Sequence, residues 1–219
     1  MCWRDKYMQI STSQKLSLLS AIFVASLIAA NLLGVKITTL LGISVSVGIF
    51  AYPITFLITD SIEEVFGKKP ATHLMYSALI AQILVFIIIV IAIKLPSSER
   101  YEFNDEYVII FSSSLRIIIA SIIAFFLSQT HDIWAFNFWK KQTNGKFLWL
   151  RNNLSTIASQ FLDTTIFMFI AFYNISPKFD SAFIFSLIIP YLLFKVAFAL
   201  IDTPLVYALV WWLKKDKHD

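Results

Sequence analysis

Cysteine and glycine are scarce in this 219-residue chain. Its single cysteine, Cys2, excludes an internal disulfide framework and a metal cluster held by several thiolates. Only five glycines are present, and none forms a phosphate-binding glycine-rich loop. The sequence patterns of zinc proteases and serine hydrolases are also absent. The sequence therefore predicts neither an enzyme nor a bound cofactor or metal.

Charged residues are scarce too, at 15% of the chain, whereas hydrophobic residues make up 58%. Soluble domains average about 25% charged and roughly 45–50% apolar residues. With a mean hydropathy of +0.74, a soluble fold could not hide this much apolar surface from water. The apolar residues form long blocks, which is typical of a protein that crosses a membrane several times.

Six apolar blocks fill the chain, and each has the length of a membrane-spanning helix. They cover approximately Leu16–Ile37, Val47–Phe66, Leu74–Leu95, Val108–Ser128, Leu154–Phe172 and Phe185–Leu213. A helix closes its backbone hydrogen bonds internally, as the bilayer core requires, and the alternating pattern of barrel strands is absent. We therefore predict an all-α fold with six transmembrane helices in one domain, residues 1–219.

Basic residues are unevenly divided between the two sides of these predicted spans. The tails and the loops after spans two and four carry twelve lysines and arginines, whereas the opposite side carries four. By the positive-inside rule, both termini face the cytoplasm. The net charge of +4 is thus a sign of topology, and no basic face is long enough to predict nucleic-acid binding.

Several polar and ionisable side chains lie within the predicted spans, where each is costly unless it is paired or solvated. They are Asn31, Asp60, Arg116, Gln129, Asp132, Gln160, Asp163, Lys195 and Asp202. We expect Asp60, Asp132 and Asp163 to face a solvated substrate cavity. Pairs of charges within a membrane bundle are more stable than single ones.

The basic residues within the spans have a different expected role. We predict that Arg116 and Lys195 hold the fold by pairing with intramembrane carboxylates, of which Asp202 is one. Glu63 and Glu64 lie near the membrane interface, and we assign them to the surface.

Prolines predict breaks in two of the spans. Pro53 precedes Thr59 and Asp60 in span two, and span six contains Pro190 and Pro204. A proline in a helix interior removes a backbone donor and kinks the helix. Because broken helices line binding cavities in transporters, these prolines favour a site beside the acidic residues.

A nine-residue pattern occurs twice in the second half of the chain. Ser128, Gln129, Asp132 and Phe136 recur at the same spacing as Ser159, Gln160, Asp163 and Phe167. Each copy places Gln and Asp three residues apart on one helical face, with an aromatic ring one turn further on. Such an amide and carboxylate can bind the donor and acceptor groups of a heterocycle, and aromatic rings can cover its faces.

Segments spread along the chain resemble one family of membrane transporters. The segments are Ala30-Asn31, Tyr52-Pro53-Ile54-Thr55-Phe56-Leu57-Ile58-Thr59-Asp60 with Val65-Phe66-Gly67, Arg116 with Ala120-Ser121, Gln129 and Asp132 with Phe136, Asp163-Thr164 before Phe169-Ile170-Ala171-Phe172, and Phe194-Lys195-Val196. In this order they resemble the queuosine precursor transporter family, once described as vitamin-uptake-like. Glu63 and Glu64 depart from the family pattern, in which a basic residue often follows the aspartate of span two.

The resemblance implies a secondary transporter in the bacterial inner membrane. It would import a 7-deazaguanine base, in its cyano or aminomethyl form or as queuine, for salvage into the queuosine of tRNA. We expect the base to contact Asn31, Tyr52, Asp60, Gln129, Asp132, Phe136, Gln160, Asp163 and Phe167. The other expected partners are the lipid bilayer and a second copy of the chain.

Two other functions are compatible with the sequence. A substrate-capture subunit of an energy-coupling-factor vitamin importer also has six helices and docks through small residues one turn apart. Ala21, Ala25 and Ala29 have that spacing, although ordinary helix packing uses it too. An intramembrane aspartyl protease would need a pair of aspartates, but the glycines that flank such pairs are absent.

The basic asymmetry leads to a labelling prediction. In a chain lacking Cys2, a K146C substitution should react with an impermeant maleimide only after the membrane is opened, because the loop after span four faces the cytoplasm. An R100C substitution in the loop after span three should react in intact cells. Labelling of position 146 in intact cells would contradict this orientation.

Overall fold

The computed structural model describes residues 11–40, 42–143, 148–201 and 203–215. The helices in these ranges are α1 (Thr12–Leu33), α2 (Tyr52–Phe66), α3 (Lys68–Lys94), α4 (Asn104–Gln142), α5 (Leu148–Phe172), α6 (Ser181–Ile201) and α7 (Thr203–Lys214). The strands are β1 (Ile37–Leu40) and β2 (Ile43–Ser46), and a 3-10 helix follows at Val47–Phe50. The predicted all-α class is confirmed, and the small hairpin is an addition to it.

Within the described ranges, three helical segments are apolar and long enough to cross a membrane. They are Thr12–Leu33, Lys69–Lys94 and Asn104–Ser128, and two shorter apolar segments are Ile157–Phe172 and Ser181–Lys195. Large apolar side chains such as Ile80, Ile87 and Phe126 are exposed on these helices. A surface of this kind is suited to contact with lipid chains.

The second predicted span, Val47–Phe66, is not one continuous helix. Its first residues form the 3-10 helix, and α2 then has only 15 residues. That length gives about 22 Å of helix, less than the roughly 30 Å of a hydrocarbon core. Pro53 lies in the first turn of α2, where backbone N–H groups have no acceptor within the helix. A proline there costs no helical hydrogen bond. The proline therefore begins the helix and does not kink it, contrary to the prediction.

A close backbone contact seats the 3-10 helix against the end of α1. A Cβ atom on Gly48 would lie 2.6 Å from the Ala30 carbonyl oxygen, so only glycine fits there. The Ser46 hydroxyl donates to the Gly34 carbonyl oxygen over 2.8 Å. These contacts fix the β1–β2 hairpin over one end of the bundle, which we call the hairpin end.

α4 and α5 form an antiparallel pair with the most extensive helix–helix contact in the described part of the chain. The Ser128 hydroxyl donates to Asp163 over 3.4 Å, and His131 Nδ1 lies 2.9 Å from the Ser159 hydroxyl oxygen. The sequence predicted that span four ends at Ser128, but α4 continues to Gln142. Ser128 of the first copy of the repeated pattern therefore contacts Asp163 of the second copy.

The sixth predicted span, Phe185–Leu213, is divided between α6 and α7. Pro190 lies inside α6, as predicted. Pro204 is the second residue of α7, a position that proline favours. Asp202, a predicted ion-pair partner, lies outside the described residues.

The beginning of α1 and the end of α7 meet at the opposite end of the bundle, which we call the terminal end. The Lys15 ammonium donates to the Trp212 carbonyl oxygen over 2.5 Å and lies 4.7 Å from the centre of the Trp212 ring. A cation at the C-terminal end of a helix satisfies a free carbonyl and the helix dipole. Leu19, Ile62 and Leu213 share one buried cluster at this end, so the chain enters and leaves the bundle on the same side.

Among the described residues, Arg116 contacts backbone carbonyl groups and no carboxylate. Its Nε atom donates to the Ile170 carbonyl oxygen over 2.6 Å, and its Nη2 atom donates to the carbonyl oxygen of Tyr173. Both carbonyls lie at the C-terminal end of α5, where the helix itself provides no donors. A guanidinium has five N–H donors and a charge that suits the negative end of the helix dipole. Arg116 is therefore a helix cap, with backbone carbonyls in place of the predicted carboxylate.

Replacing Arg116 by methionine should destabilise the protein by about 1.5–3 kcal/mol, because two carbonyl oxygens lose a charged donor. The melting temperature of the detergent-solubilised protein measures this loss, and R116K should retain part of the stability. Adding D163N to R116M should give no recovery, because the contacts of Arg116 are to carbonyl oxygens. Recovery in the double variant would instead indicate an ion pair.

Candidate functional site

A cavity of about 340 Å³ lies at the centre of the bundle and is lined by residues of the six helices α1 to α6. Its polar lining consists of Tyr52, Thr55, Thr59, Asp60, Glu63, Gln82, Ser121, Ser128, Ser159, Gln160, Asp163 and Lys195. Its apolar lining consists of Phe23, Leu27, Phe56, Met75, Leu79, Ala124, Phe125 and Phe167. A space of this size, lined by both polar and apolar groups, suits one small molecule.

Asp163 is the carboxylate with the most contacts in the cavity. Its Oδ2 atom lies 3.3 Å from Lys195 Nζ of α6, and its Oδ1 atom accepts from Ser128 of α4. Lys195 also donates to the Thr164 hydroxyl over 2.9 Å. The predicted pairing of Lys195 with an intramembrane carboxylate is therefore present. The Asp163 side chain is 34% exposed, so its oxygens have lone pairs left for a ligand in the cavity.

The part of the cavity nearer the hairpin end is neutral and partly aromatic. Tyr52 lies at the start of α2 and lines the cavity together with Ser121 of α4. The rings of Tyr52 and Phe56 are 6.2 Å apart and inclined by 30°. Phe167 forms part of the opposite wall on α5. These rings offer apolar surfaces to a flat molecule.

Apolar side chains fill the space between this part of the cavity and the hairpin. Val45 of β2 and Ile49 of the 3-10 helix are buried, and Ile49 retains only 1% of its exposure. They belong to the same cluster as Phe172 and Ile188. Phe167 is a member of that cluster and also lines the cavity. The cavity is therefore closed toward the hairpin end.

The opposite end of the cavity reaches the surface at the terminal end. Asp60 and Glu63 line both the cavity and a shallow surface pocket that includes Glu64 and Gly67. All three carboxylates are on exposed residues of α2. The sequence analysis assigned Glu63 and Glu64 to the surface, but Glu63 also belongs to the cavity mouth.

Five of the predicted contact residues line this one cavity. They are Tyr52, Asp60, Gln160, Asp163 and Phe167. The other predicted positions on α4, namely Gln129, Asp132 and Phe136, have side chains outside the part of the structure that is described. The predicted contact residues include none from span three, whereas Met75, Leu79 and Gln82 of α3 also contribute to the wall.

Asn31, another of the predicted contact residues, lies apart from this cavity. It is 1% exposed and does not line the cavity. Neither its amide oxygen nor its amide nitrogen has a hydrogen-bond partner in the described structure. Leu27, one helical turn earlier, does line the cavity, so Asn31 lies beyond the cavity toward the hairpin end.

The sequence analysis missed Gln82 as a site residue. Gln82 lies on α3, is 3% exposed and lines the cavity. It is the only polar residue in the apolar stretch from Ala78 to Ile93. A single amide in such a stretch was a signal that the sequence already offered, because polar groups at membrane depth usually have a function.

Among the described residues, no group of three His, Cys, Asp or Glu side chains is placed to hold a metal ion. His131 instead contacts the Ser159 hydroxyl, which lines the cavity. The cavity therefore offers carboxylate, amide, hydroxyl and ammonium groups together with aromatic rings. This combination suits the recognition of a small heterocycle by hydrogen bonds and ring contacts.

The fold and the cavity define a polytopic membrane protein built to bind a small molecule between its helices. Residues 46–209 match the model of the putative vitamin uptake transporter family, and the chain belongs to this family. It is 31% identical over 195 residues to the probable queuosine precursor transporter of Bacillus subtilis (strain 168), covering 87% of this chain and 82% of that protein. It is a multi-pass membrane protein, since three of its described helices are long and apolar enough to cross a bilayer.

A second relative is the queuosine precursor transporter of Escherichia coli (strain K12). The two chains are 27% identical over 136 residues, which cover 62% of this chain and 59% of the relative. No solved structure matches the chain.

The contact between Lys195 and Asp163 leads to a stability prediction. Replacing Lys195 by methionine should destabilise the protein by about 1–2 kcal/mol, because Asp163 would lose its counter-charge in a partly desolvated wall. The double variant K195M/D163N should recover most of the melting temperature. K178M, at an exposed lysine between α5 and α6, is the control and should change nothing. A double variant no more stable than K195M alone would contradict the pairing.

Proposed function

We propose that this protein is a secondary transporter that imports queuosine precursors, the 7-deazaguanine bases, across the inner membrane for salvage into tRNA. One observation carries the proposal: Asp163 presents a partly free carboxylate to a cavity of about 340 Å³. The names of the two relatives supply the substrate class.

The proposed binding mode uses the guanine-like edge of the base. This edge presents a ring N–H beside an exocyclic amine, and one carboxylate can accept from both groups in a bidentate contact. We assign this role to Asp163, since Lys195 and Ser128 hold its oxygens in place. The Tyr52 and Phe56 rings lie where they can cover a face of the base.

The proposed topology has six crossings with both termini in the cytoplasm, and α6 and α7 together form the sixth crossing. The terminal end of the bundle would then face the cytoplasm, and the hairpin end would face outward. Since the cavity opens beside Asp60 and Glu63 and is closed by Val45 and Ile49, this conformation corresponds to an inward-facing state. Entry of the base from outside then requires the hairpin and the 3-10 helix to move away from α5 and α6.

The names of the relatives favour this function over the two alternatives. Both are named transporters in their own right, and a capture subunit would need a partner complex. An aspartyl protease would need two aspartates that share a proton, whereas Asp163 is engaged by Lys195. A homodimer through Ala21, Ala25 and Ala29 stays a prediction.

Uptake by the purified protein alone tests the proposal. Proteoliposomes that contain only this chain should take up a labelled 7-deazaguanine base, and the cyano base, the aminomethyl base and queuine should be compared as competitors. Uptake that requires an added ATPase complex would instead favour the capture-subunit function. Absence of uptake and of binding for all three bases would contradict the proposal.

Replacing Asp163 by asparagine separates a ligand from a proton carrier. A carboxylate that binds the base directly predicts at least about tenfold weaker binding of D163N at every pH, because the bidentate, charge-assisted contact is lost. A proton carrier would keep binding and exchange but lose uphill accumulation. D180N is the matched control, since Asp180 lies outside the cavity at the start of α6. A well-folded D163N protein with normal binding and accumulation would contradict the assignment of Asp163.

A further inference from the structure

Gln82 is a buried amide whose polar atoms make no contact that explains its presence. Its side chain is only 3% exposed, and it lines the central cavity. Within the described chain no hydrogen bond joins its side chain to another residue. The residues around it in α3, from Ala78 to Ile93, are all apolar.

No hydrogen bond from the described protein stabilises the Gln82 amide, so an apolar side chain of similar size would be no less stable at this position. The enclosed polar atoms without a partner belong to Asn31 and Thr165, so the Gln82 amide is open to the cavity. Asn31 also lacks partners, but it does not line the cavity. Gln82 therefore differs from Asn31 in that a molecule within the cavity can reach it.

The position of Gln82 along the cavity follows from the packing of α2 against α3. Ile58 of α2 and Ala78 of α3 belong to one buried cluster, as expected for neighbouring antiparallel helices. Gln82 and Tyr52 each lie fifteen residues from Gly67, which separates these helices. Fifteen residues correspond to about 22 Å of helix. Gln82 is therefore level with Tyr52, in the neutral part of the cavity away from its acidic mouth.

We propose that Gln82 is a specificity-determining contact for the transported base, with its amide N–H donating to the ring carbonyl oxygen. This inference rests on the proposed function and extends it. In a guanine-like ring the carbonyl lies next to the ring N–H that Asp163 accepts, so the two side chains bind adjacent atoms of the same edge. Asp163 and Gln82 lie on α5 and α3, in opposite halves of the chain, and both line the cavity.

The donor role distinguishes glutamine from its two near-isosteric replacements. Methionine has a similar length but no amide. Glutamate has a second acceptor oxygen in place of the amide NH2 donor. We expect both Q82M and Q82E to bind the base about tenfold or more weakly, the equivalent of one lost hydrogen bond. I83M, at an exposed residue of α3 outside the cavity, is the matched control and should bind normally.

The test uses the full chain in detergent, with the neutral cyano base as the probe. Base affinity and the melting temperature without base are measured for the wild type, Q82M, Q82E and I83M. We expect Q82M to melt at or near the wild-type temperature, since it removes no hydrogen bond to the described protein. Weaker binding together with undiminished stability is a result that a purely structural residue would not give.

Three results would overturn the proposal. Equal affinity of Q82M and the wild type would exclude the contact while leaving the proposed function intact. A lower melting temperature of Q82M would assign Gln82 a structural role, and tighter binding by Q82E would exclude the donor role. If the wild type binds none of the three bases, the proposed function fails and this contact fails with it.

Discussion

A polar atom within a bilayer must find its partner inside the protein, and this constraint accounts for most of the polar contacts in the structure. The hydroxyls of Thr59 and Ser61 donate to carbonyl oxygens one turn earlier in α2. Arg116 caps the end of α5, and Lys195 contacts both Asp163 and Thr164. Each of these groups is satisfied without solvent, so the helices can pack closely around a single cavity.

The exceptions to this rule are informative because they are few among the described side chains. Asn31 lies beside Ala30, whose carbonyl oxygen is in close contact with Gly48 at the hairpin end. Gln82 lies on the cavity wall and has the geometry to meet a ligand. Residues that break a local rule of stability are often found at functional sites. In the proposed binding mode, the Gln82 amide and the partly free carboxylate of Asp163 are the two groups to which a base binds.

The sequence predicted the helical class and the residues at the centre of the site, because both depend on short-range patterns. Asp163 was identified from its depth in an apolar block, and the block itself indicated a helix. The hairpin from Ile37 to Ser46 was not predicted, since strand pairing and a 3-10 helix depend on the contact between Gly48 and α1. The partner of Arg116 was also missed. Nothing in the spacing of residues tells whether a buried guanidinium will meet a carboxylate or the end of another helix.

The central claim is that a 7-deazaguanine base binds in the cavity between Gln82 and Asp163. A structure of the protein determined with the base bound tests this claim most directly. The account predicts the base in the cavity, with its N–H and exocyclic amine within about 3 Å of the Asp163 oxygens and its carbonyl at a similar distance from the Gln82 amide. A base bound outside this cavity, or one that contacts neither side chain, would contradict it.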